Sequence, residues 1–330
     1  MRVMVTGGAG YIGSVLLPHL IKAGYRVRLV DKFFFGQAHL RALLAKVEVV
    51  RADICTLKQS AFDNVDAVIH LAALSNDPMA NFSPELNYYI NTEATARMGR
   101  LAKRAGVSRF IFASSCSIYQ QKANDHHLYK ESDPVGPKEY YSHSKYLAEQ
   151  LLLPLAEDKF VVTVLRKGTV GGYSPRLRLD LVVNTMVKTA LSLGKLVVND
   201  GKQHRPLVDI QDVAKAYLVL LKAPKEKINR QIFNLAYKNY SILPLAREVR
   251  RVLQRELKKD FDLEIRNRVK DRTYRVSMRK LTQAVSWKPR GTMKKSVQGL
   301  LRQLRGKKID FAHPFYYNIE RMKQLFPKLT

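Results

Sequence analysis

The sequence has few cysteines and no long apolar run. Cys55 and Cys116 are the only cysteines among its 330 residues, too few for a disulfide-stabilised scaffold and typical of a reducing compartment. No apolar stretch approaches the roughly 18 residues that a membrane-spanning helix needs. A strand-like pattern begins at Arg2, so we expect no leader peptide ahead of the fold. These absences argue against disulfide-rich and membrane-spanning classes and favour a cytoplasmic protein.

Acidic residues are also scarce. The chain carries 57 Lys and Arg against 28 Asp and Glu, a formal net charge of +29, which by itself is typical of nucleic-acid or anionic-surface binding. Its 46% hydrophobic residues are enough for a folded core in one large or two small domains. Residues 1–165 carry 19 basic and 15 acidic residues, a balance of +4, whereas residues 166–330 carry 38 and 13, a balance of +25. We therefore expect the two halves to have different partners.

Short apolar runs alternate with helical patterns through the first half. The runs predicted as strands are Arg2–Val5, Arg26–Val30, Val47–Val50, Ala67–Leu71, Phe110–Ala113 and Val161–Leu165. The helical segments between them are Ile12–Ala23, Phe62–Asn64, Asn87–Ala105 and Tyr140–Leu155. In the second half, Leu207–Ile210 and Ile232–Leu235 are predicted strands on either side of a helix at Val213–Leu221. Strands separated by helices indicate an α/β fold with a parallel sheet, and the nearly all-apolar runs indicate helices on both sheet faces.

A glycine-rich turn follows the first predicted strand. Gly7, Gly10 and Gly13 lie between a strand and a helix, where glycine permits a tight turn and close approach of the backbone to a pyrophosphate. Asp31 ends the second strand 18 residues after Gly13, where an acidic side chain binds the ribose hydroxyls of NAD and repels the extra phosphate of NADP. Adjacent Lys32 is the residue that leaves NADP open. The sequence predicts an NAD site.

Further segments follow in an order typical of one enzyme family. They are Ala52-Asp53-Ile54, His70-Leu71-Ala72-Ala73, Ser114-Ser115-Cys116-Ser117-Ile118-Tyr119, Tyr141-Ser142-His143-Ser144-Lys145 and Arg205-Pro206-Leu207-Val208-Asp209-Ile210. With the glycine turn, they resemble the extended short-chain dehydrogenase/reductase family, specifically its nucleotide-sugar epimerases and dehydratases of the UDP-glucose 4-epimerase type. The resemblance covers nearly the whole chain.

The resemblance implies an architecture and a set of cofactor contacts. The implied fold is a Rossmann-type doubly wound parallel sheet with a smaller, mixed α/β C-terminal substrate-binding domain, in a homodimer. We expect the NAD-binding domain at residues 1–173 and about 204–238, and the nucleotide-sugar-binding domain at about 174–203 and 239–330. The residues implied to contact NAD are Gly7, Gly10, Tyr11, Ile12, Gly13, Asp31, Lys32, Asp53, Ile54, Leu71, Ala72, Ala73 and Lys145.

Tyr141, Lys145 and Ser115 are the candidate catalytic residues. Tyr141 and Lys145 are four apart on a predicted helix, so their side chains share one face. A free tyrosine has a pKa of ~10 and is a poor base at neutral pH. A neighbouring ammonium and the positive nicotinamide ring favour the phenolate, so we expect Lys145 to lower the pKa of Tyr141. The resemblance assigns Ser115 to hold the substrate hydroxyl and share its proton.

The residues after Ser115 bear on the reaction. Family members that eliminate water typically carry an Asp-Glu pair there, and decarboxylating members a Glu at the second position, whereas this chain has Cys116 and Ser117. Dehydratase and decarboxylase activities are therefore disfavoured, and Cys116 is interpreted as a small packed residue. The remaining residues suffice for C4-type epimerisation by transient hydride transfer to tightly bound NAD and return to the opposite face. A nucleotide-sugar reductase or dehydrogenase would use the same three residues and stays an alternative.

Both halves contribute predicted substrate contacts. The resemblance implies contacts from Ser75, Asn76, Ser115, Asn184, Arg205 and Arg272. Ser75 and Asn76 also suit an ordinary turn before a proline. Arginine binds a diphosphate through paired hydrogen bonds, which is the role implied for Arg205 and Arg272. Arg176 and Arg178 lie in the loop expected to cover the sugar.

Two other functions were weighed. The polar cluster Asp125-His126-His127 has adjacent histidines that point apart and no third spaced ligand, so no metal site is predicted. An RNA-binding member of the same fold is suggested by the +25 half, but a pure binder has no use for Ser115, Tyr141 and Lys145, and no aromatic-rich base-stacking motif is present. Much of the positive charge exceeds what two phosphates require; steering of anionic substrates or docking on an anionic surface both remain open.

Overall fold

Strands and helices alternate along most of the chain. The computed structural model describes residues 1–119, 127–199, 201–266 and 273–327. Its strands in chain order are β1 (Arg2–Thr6), β2 (Arg26–Asp31), β3 (Glu48–Arg51), β4 (Ala67–His70), β5 (Arg109–Ser115), β6 (Leu128–Tyr129), β7 (Val161–Lys167), β8 (Thr169–Gly171), β9 (Lys195–Asn199), β10 (His204–Asp209), β11 (Gln231–Leu235), β12 (Lys238–Ser241), β13 (Asp262–Arg266) and β14 (Arg275–Val276). Its α-helices are α1 (Gly13–Lys22), α2 (Arg41–Leu44), α3 (Asp77–Phe82), α4 (Pro84–Tyr88), α5 (Thr95–Arg104), α6 (Tyr140–Leu152), α7 (Val182–Leu193), α8 (Ile210–Lys222), α9 (Lys225–Ile228), α10 (Ile242–Leu257), α11 (Arg279–Val285), α12 (Met293–Leu304) and α13 (Asn318–Leu325).

Seven strands form one parallel sheet. Their order is β3-β2-β1-β4-β5-β7-β11. The chain moves outward in one direction from β1 to β3 and in the other from β4 to β11, so the switch point lies between β1 and β4. Ligands of such sheets bind beyond the carboxyl ends of the strands at this point. The predicted Rossmann-type α/β fold is confirmed.

Apolar side chains cover both faces of the sheet. On one face, Val3 and Val5 of β1 pack with Leu16 of α1 and Tyr217 of α8. On the other face, Met4 of β1 packs in a cluster that includes residues of α5 and α6. Burial on both faces is the physical reason that these strands are apolar at nearly every position.

A third apolar cluster lies among α7, β9, α10 and α12. Val187, Leu196, Val249 and Leu300 are among its buried members. Small sheets accompany it: β10 pairs antiparallel with β12 and parallel with β8, and β9 pairs with β13. This is the smaller, mixed α/β part expected after the Rossmann-type sheet. The domain boundaries themselves stay a prediction.

Several element ends differ from the prediction because caps decide them. Ser83 accepts a hydrogen bond from Leu86 N (3.3 Å) and starts a helical stretch earlier than predicted, with a π-helical segment at Tyr89–Ala94 between α4 and α5. Ile210 belongs to α8 and not to the preceding strand, since Asp209 Oδ1 accepts from Gln211 N (2.8 Å). The predicted turn at Phe62–Asn64 is a 3-10 helix at Gln59–Phe62. In the described ranges, no helix is long and apolar enough to span a membrane.

Candidate active site

The glycine turn after β1 packs tightly on itself and on the chain after β4. Gly7 has φ of 68°, and a Cβ there would lie 2.6 Å from the backbone nitrogen of Ala72. A Cβ on Gly13 would lie 2.4 Å from Cα of Gly8. Glycine is therefore required at both positions. The turn leads into α1, whose N-terminal N–H groups and dipole favour an anionic group such as a pyrophosphate.

Asp31, at the end of β2, is held between the glycine turn and the next loop. Its Oδ2 accepts a hydrogen bond from Ala9 N (2.9 Å) and its Oδ1 one from Phe33 N (2.7 Å). Burial raises the pKa of Asp31, and these two hydrogen bonds oppose the rise. Lys32 Nζ forms an ion pair with Asp53 Oδ2 at 2.7 Å, so its charge is already matched. The charge of Arg51 also lowers the pKa of Asp31, and the negative charge of this carboxylate disfavours a 2′-phosphate.

One cavity of about 360 Å³ joins the glycine turn to the carboxyl ends of β4, β5 and β7. The sequence-predicted residues that line it are Gly7, Gly10, Tyr11, Ile12, Gly13, Asp31, Lys32, Asp53, Ile54, Leu71, Ala72, Ala73, Ser75, Asn76, Ser115, Tyr141, Lys145 and Arg205. Asn184 does not line it, and Arg272 lies outside the described residues. The predicted NAD contacts and the predicted reaction residues therefore share one cleft, while the individual roles stay predictions.

Three side chains suited to proton transfer meet at the carboxyl end of β5. Tyr141 and Lys145 lie one turn apart on α6, and both line the cleft. Ser115 ends β5, where its Oγ accepts from Ser117 N (3.1 Å) and donates to Ser117 Oγ (2.9 Å). The hydroxyl of Ser115 is also near enough to Tyr141 to lower the pKa of that tyrosine. A substrate hydroxyl placed here would meet both hydroxyl groups.

In the protein without NAD, the pKa of Tyr141 is higher than that of a free tyrosine. It is raised to about 12, first by burial and then by the carboxylate of Asp77, while the hydroxyl of Ser115 and the charge of Arg178 act in the opposite direction. Lys145 is not among the groups that shift it most. The protein without NAD therefore does not show the expected lowering, and the joint effect of Lys145 and the positive nicotinamide ring on this pKa stays a prediction.

Lys145 is an almost fully buried amine that faces the cleft. It is 2% exposed, and its Nζ lies 4.8 Å from the centre of the Phe112 ring. Burial lowers the pKa of Lys145 to about 7; repulsion by Lys167 adds to the lowering and the carboxylate of Glu149 opposes it. Within the described ranges its Nζ has no hydrogen-bond partner. The amine is therefore available to a ligand hydroxyl.

A buried ion pair fixes α6 against the sheet. Arg166 Nη2 on β7 lies 2.6 Å from Glu149 Oε2 on α6, and Arg166 Nε donates to Glu149 Oε1 at 3.0 Å. Ser114 Oγ also donates to Glu149, and Arg166 Nη1 donates to Tyr119 Oη at 2.6 Å. This network holds the helix that carries Tyr141 beside the strand that carries Ser115. The sequence analysis missed it, since Arg166 follows an apolar strand and Glu149 lies on a plain amphipathic helix.

Ser75 and Asn76 lie in the cleft but bond to other protein groups. Ser75 Oγ accepts from Arg178 Nη1 (3.3 Å) and from Asn318 Nδ2 (2.8 Å). Asn76 Oδ1 accepts from Met79 N (3.2 Å) as the cap of α3, and its Nδ2 donates to Asp180 Oδ2 (3.0 Å). The turn interpretation accounts for the bond between Asn76 and Met79, whereas the other bonds join this segment to distant parts of the chain; substrate contact stays a prediction.

The side chain of Asn184 bonds to other groups of the protein. It is fully buried, and its Oδ1 accepts from Gly172 N (3.0 Å). Its Nδ2 lies within hydrogen-bond distance of Arg178 O (2.8 Å), Gly172 O (3.2 Å) and Tyr11 Oη (3.3 Å). Because these bonds occupy its amide, the geometry gives Asn184 the role of tying the loop after β8 to the glycine turn, in place of the predicted direct substrate contact.

Arginines enter the cleft from the loop after β8 and from β10. Arg205 Nη1 donates to His204 O (3.1 Å), and its guanidinium lies 5.4 Å from the Tyr274 ring. Arg178 pairs with Asp180 at 2.7 Å. Arg176 lies 3.6 Å from the centre of the Phe35 ring and is 1% exposed.

The sequence analysis missed three further features of the cleft. Arg176 Nη2 donates to Asn318 Oδ1 (2.5 Å), so the first residue of α13 lies at the edge of the cleft. No sequence motif predicts this contact. Lys167 lines the cleft beside Ser115. Its signal in the sequence is its position directly after an apolar strand run, at the edge where ligands bind. Asp77 also lines the cleft and was not among the predicted substrate contacts, although its segment was expected either to face the sugar or to form a turn.

The histidine cluster is only partly described. Asp125 and His126 lie outside the described residues. His127 Nε2 contacts Asp133 Oδ2 at 2.7 Å on the exposed surface.

Comparisons with known proteins agree with this fold. The model of the NAD dependent epimerase/dehydratase family matches residues 3–236. UDP-glucuronic acid decarboxylase 1 of Arabidopsis thaliana is 26% identical over 319 residues, covering 93% of this chain and 70% of that protein. UDP-glucose 4-epimerase of Lactobacillus helveticus is 28% identical over 278 residues, covering 76% of this chain and 82% of that protein. In fold, the chain is similar to UDP-glucuronic acid 4-epimerase from Bacillus cereus, solved with UDP-glucuronic acid and NAD, with a TM-score of 0.80 at 23% identity over 92% of this chain and 100% of that one.

Proposed function

Because the chain belongs to the NAD dependent epimerase/dehydratase family, we propose that it is a nucleotide-sugar epimerase of the C4 type. One observation carries the proposal: Ser115, Tyr141 and Lys145 converge in the cavity that also holds the glycine turn and Asp31. These groups suffice to move one proton to and from a sugar hydroxyl next to a dinucleotide.

NAD is the cofactor of this family, and the cleft residues fit it. The turn in which Gly7 and Gly13 leave no room for a Cβ suits the pyrophosphate, and Asp31 suits the ribose hydroxyls. The unpartnered amine of Lys145 suits hydroxyls of the second ribose. When bound, NAD supplies the hydride acceptor for the sugar carbon and the donor for the return step.

Tyr141 is the proposed acid and base. It takes the proton of the sugar 4-hydroxyl and later returns it, while Ser115 Oγ orients that hydroxyl. At a pKa of about 12 the phenolate is scarce at neutral pH, so positive charge must act on Tyr141 during the reaction. Protonated Lys145 and the positive nicotinamide ring provide it, since an opposite charge within a few ångströms favours the ionised form.

The positions after Ser115 do not support elimination of water. Cys116 is fully buried, its Sγ donates to Arg166 O at 3.0 Å, and burial raises its pKa to about 12. Ser117 carries no charge and bonds to Ser115. Neither residue supplies the acid and base that a dehydratase needs.

Decarboxylation of a nucleotide uronic acid is the second candidate. Similarity to the Arabidopsis thaliana decarboxylase extends over 93% of this chain, more than the 76% matched by the Lactobacillus helveticus epimerase. After oxidation at C4, a carboxylate at C5 is β to a ketone and leaves as CO2 without a further enzymic carboxylate. The absence of a Glu at Ser117 therefore weakens this candidate less than it weakens dehydration.

The test is incubation of the purified protein with UDP-, dTDP- and GDP-hexoses and hexuronic acids, followed by mass spectrometry and NMR of the products. We expect a C4 epimer of unchanged mass and no accumulation of NADH. Loss of CO2 would favour the decarboxylase, and stoichiometric consumption of NAD would favour the reductase or dehydrogenase. Finding no product and no NADH with every sugar would contradict the proposed function.

Tyr141→Phe is the matched variant for this assay. It removes only the phenol oxygen, so folding and NAD binding should stay intact while turnover is abolished. Retention of full activity would remove Tyr141 as the base. The homodimer is a further proposal, checked by analytical ultracentrifugation of the same protein.

A further inference from the structure

Lys167 lies beside the reacting groups, and the proposed mechanism does not use it. It ends β7 directly in register with Ser115 of β5. Neighbouring parallel strands lie about 4.8 Å apart, and residues in register point to the same sheet face. Lys167 lines the cleft, and its Nζ donates one hydrogen bond, to Ser114 O at 2.7 Å.

Two lysines, Lys145 and Lys167, and the carboxylate of Asp77 line this cleft. Within the described ranges, no carboxylate forms an ion pair with Lys145 or Lys167. Burial lowers the pKa of Lys167 to about 7, as it does for Lys145, and the charge of Lys167 lowers the pKa of Lys145 further. A buried cation without a partner is costly, so a ligand that brings a negative charge to this place gains a matched partner.

In the proposed binding mode, the diphosphate of a nucleotide sugar is not the negative charge that pairs with Lys167. Its proposed partner is Arg205 on β10, whereas Lys167 is next to Ser115, where the sugar reacts. Two other arginines line the cleft: Arg178 is already paired with Asp180, and Arg176 donates to Asn318 Oδ1. The negative charge that Lys167 would match therefore belongs to the sugar itself.

We propose that Lys167 binds a carboxylate on the sugar ring, which makes the substrate a nucleoside-diphosphate uronic acid and Lys167 its specificity-determining residue. The inference rests on the proposed function, because it assumes that the sugar occupies the cleft beside Ser115. It is compatible with either fate of the acid, epimerisation or decarboxylation.

Binding of two sugars that differ only at C6 tests the proposal. UDP-glucuronate and UDP-glucose are titrated by calorimetry into NAD-loaded protein carrying Tyr141→Phe, so that no turnover disturbs the measurement. A charge-assisted hydrogen bond predicts that the acid binds about tenfold to a hundredfold more tightly than the neutral sugar. Adding Lys167→Met should reduce that ratio to about 1, whereas Lys167→Arg should preserve a clear preference for the acid.

Lys188→Met is the matched control. Lys188 on α7 is another half-buried lysine with a lowered pKa, its Nζ lies 5.3 Å from the Tyr317 ring, and it does not line the cleft. This variant should keep the full preference, and NAD retention with an unchanged melting temperature shows that each variant is folded.

Four results would overturn the proposal. Equal affinity of the parent protein for the two sugars overturns the proposal, and this result does not depend on whether Lys167→Met folds. A preference for the acid that persists in Lys167→Met also overturns the proposal. Protein that binds no nucleotide sugar at all, including dTDP- and GDP-sugars, refutes the proposed function and this inference with it. Binding of the neutral sugar alone refutes the inference and leaves the epimerase proposal standing.

Discussion

Replacing Lys145 by methionine should stabilise the protein without NAD while abolishing its activity. Lys145 is 2% exposed, and the Nζ rests on the Phe112 ring without a carboxylate partner in the described part of the chain. Methionine keeps an apolar chain of similar length and removes the charge. The gain in stability is therefore the cost of holding an ammonium in this place.

The size of that cost follows from the pKa. Lowering it from 10.5 to about 7 means that the folded protein binds fewer protons than the unfolded chain between these values. The buried charge of Lys145 therefore lowers the free energy of unfolding most below pH 7. This destabilisation decreases as the pH rises toward 10.5. Linkage gives an upper limit of about 4 kcal/mol at pH 7 and about 1 kcal/mol at pH 9.5.

Thermal unfolding of wild type and Lys145→Met, both freed of nucleotide, measures this difference. A gain of about 2–4 kcal/mol in a chain of this length raises the melting temperature by about 3–6 °C at pH 7, with a smaller rise at pH 9.5. A variant that melts below wild type at pH 7, or whose gain is the same at both pH values, would refute the reasoning. Loss of turnover in the same variant, with wild-type activity as reference, separates the stabilising effect from the catalytic one.

Two further predictions concern groups whose partners the structure defines. Glu149→Gln leaves the buried guanidinium of Arg166 without its carboxylate, so urea unfolding should show that the free energy of unfolding falls by about 3–5 kcal/mol. The double variant with Arg166→Met should recover part of this loss. A recovery of zero would argue against pairing as the cause. Asp31→Asn removes the carboxylate at the end of β2. Titration should then show about tenfold weaker binding of NAD and a smaller ratio between the affinities for NAD and NADP. An unchanged ratio between the two nucleotides would exclude Asp31 as the selecting residue.

The positive charge of the second half is mostly on exposed surfaces. On α10, Leu245 and Val249 are buried while Arg247 and Arg251 are exposed, as the amphipathic pattern predicts. In the cleft, by contrast, the cations are few and individually placed, and Lys167 and Arg205 have proposed anionic targets. The net charge of +29 is therefore a poor guide to the site, because most of it lies where water and salt screen it.

Local spacing determined much of this protein. The role of Ser115 is implied only by the family resemblance. The glycine turn, Asp31 at a strand end, and Tyr141 four residues before Lys145 are short-range patterns, so the residues themselves predicted the α/β fold, an NAD site and the Tyr141–Lys145 pair. Each follows from the geometry of one turn, one strand or one helix. That is why these residues meet in one cavity as expected.

Only the tertiary structure decided the charge states and the long-range partners. Lys167 stands beside Ser115 because β7 pairs with β5, and Asn318 reaches Ser75 across 243 residues of chain. In the protein without NAD, Tyr141 has a raised pKa because its own burial disfavours the phenolate and the carboxylate of Asp77 adds to the rise. A pKa depends on desolvation and on every neighbouring charge, and these are set by strand order and packing, which no local spacing of residues contains.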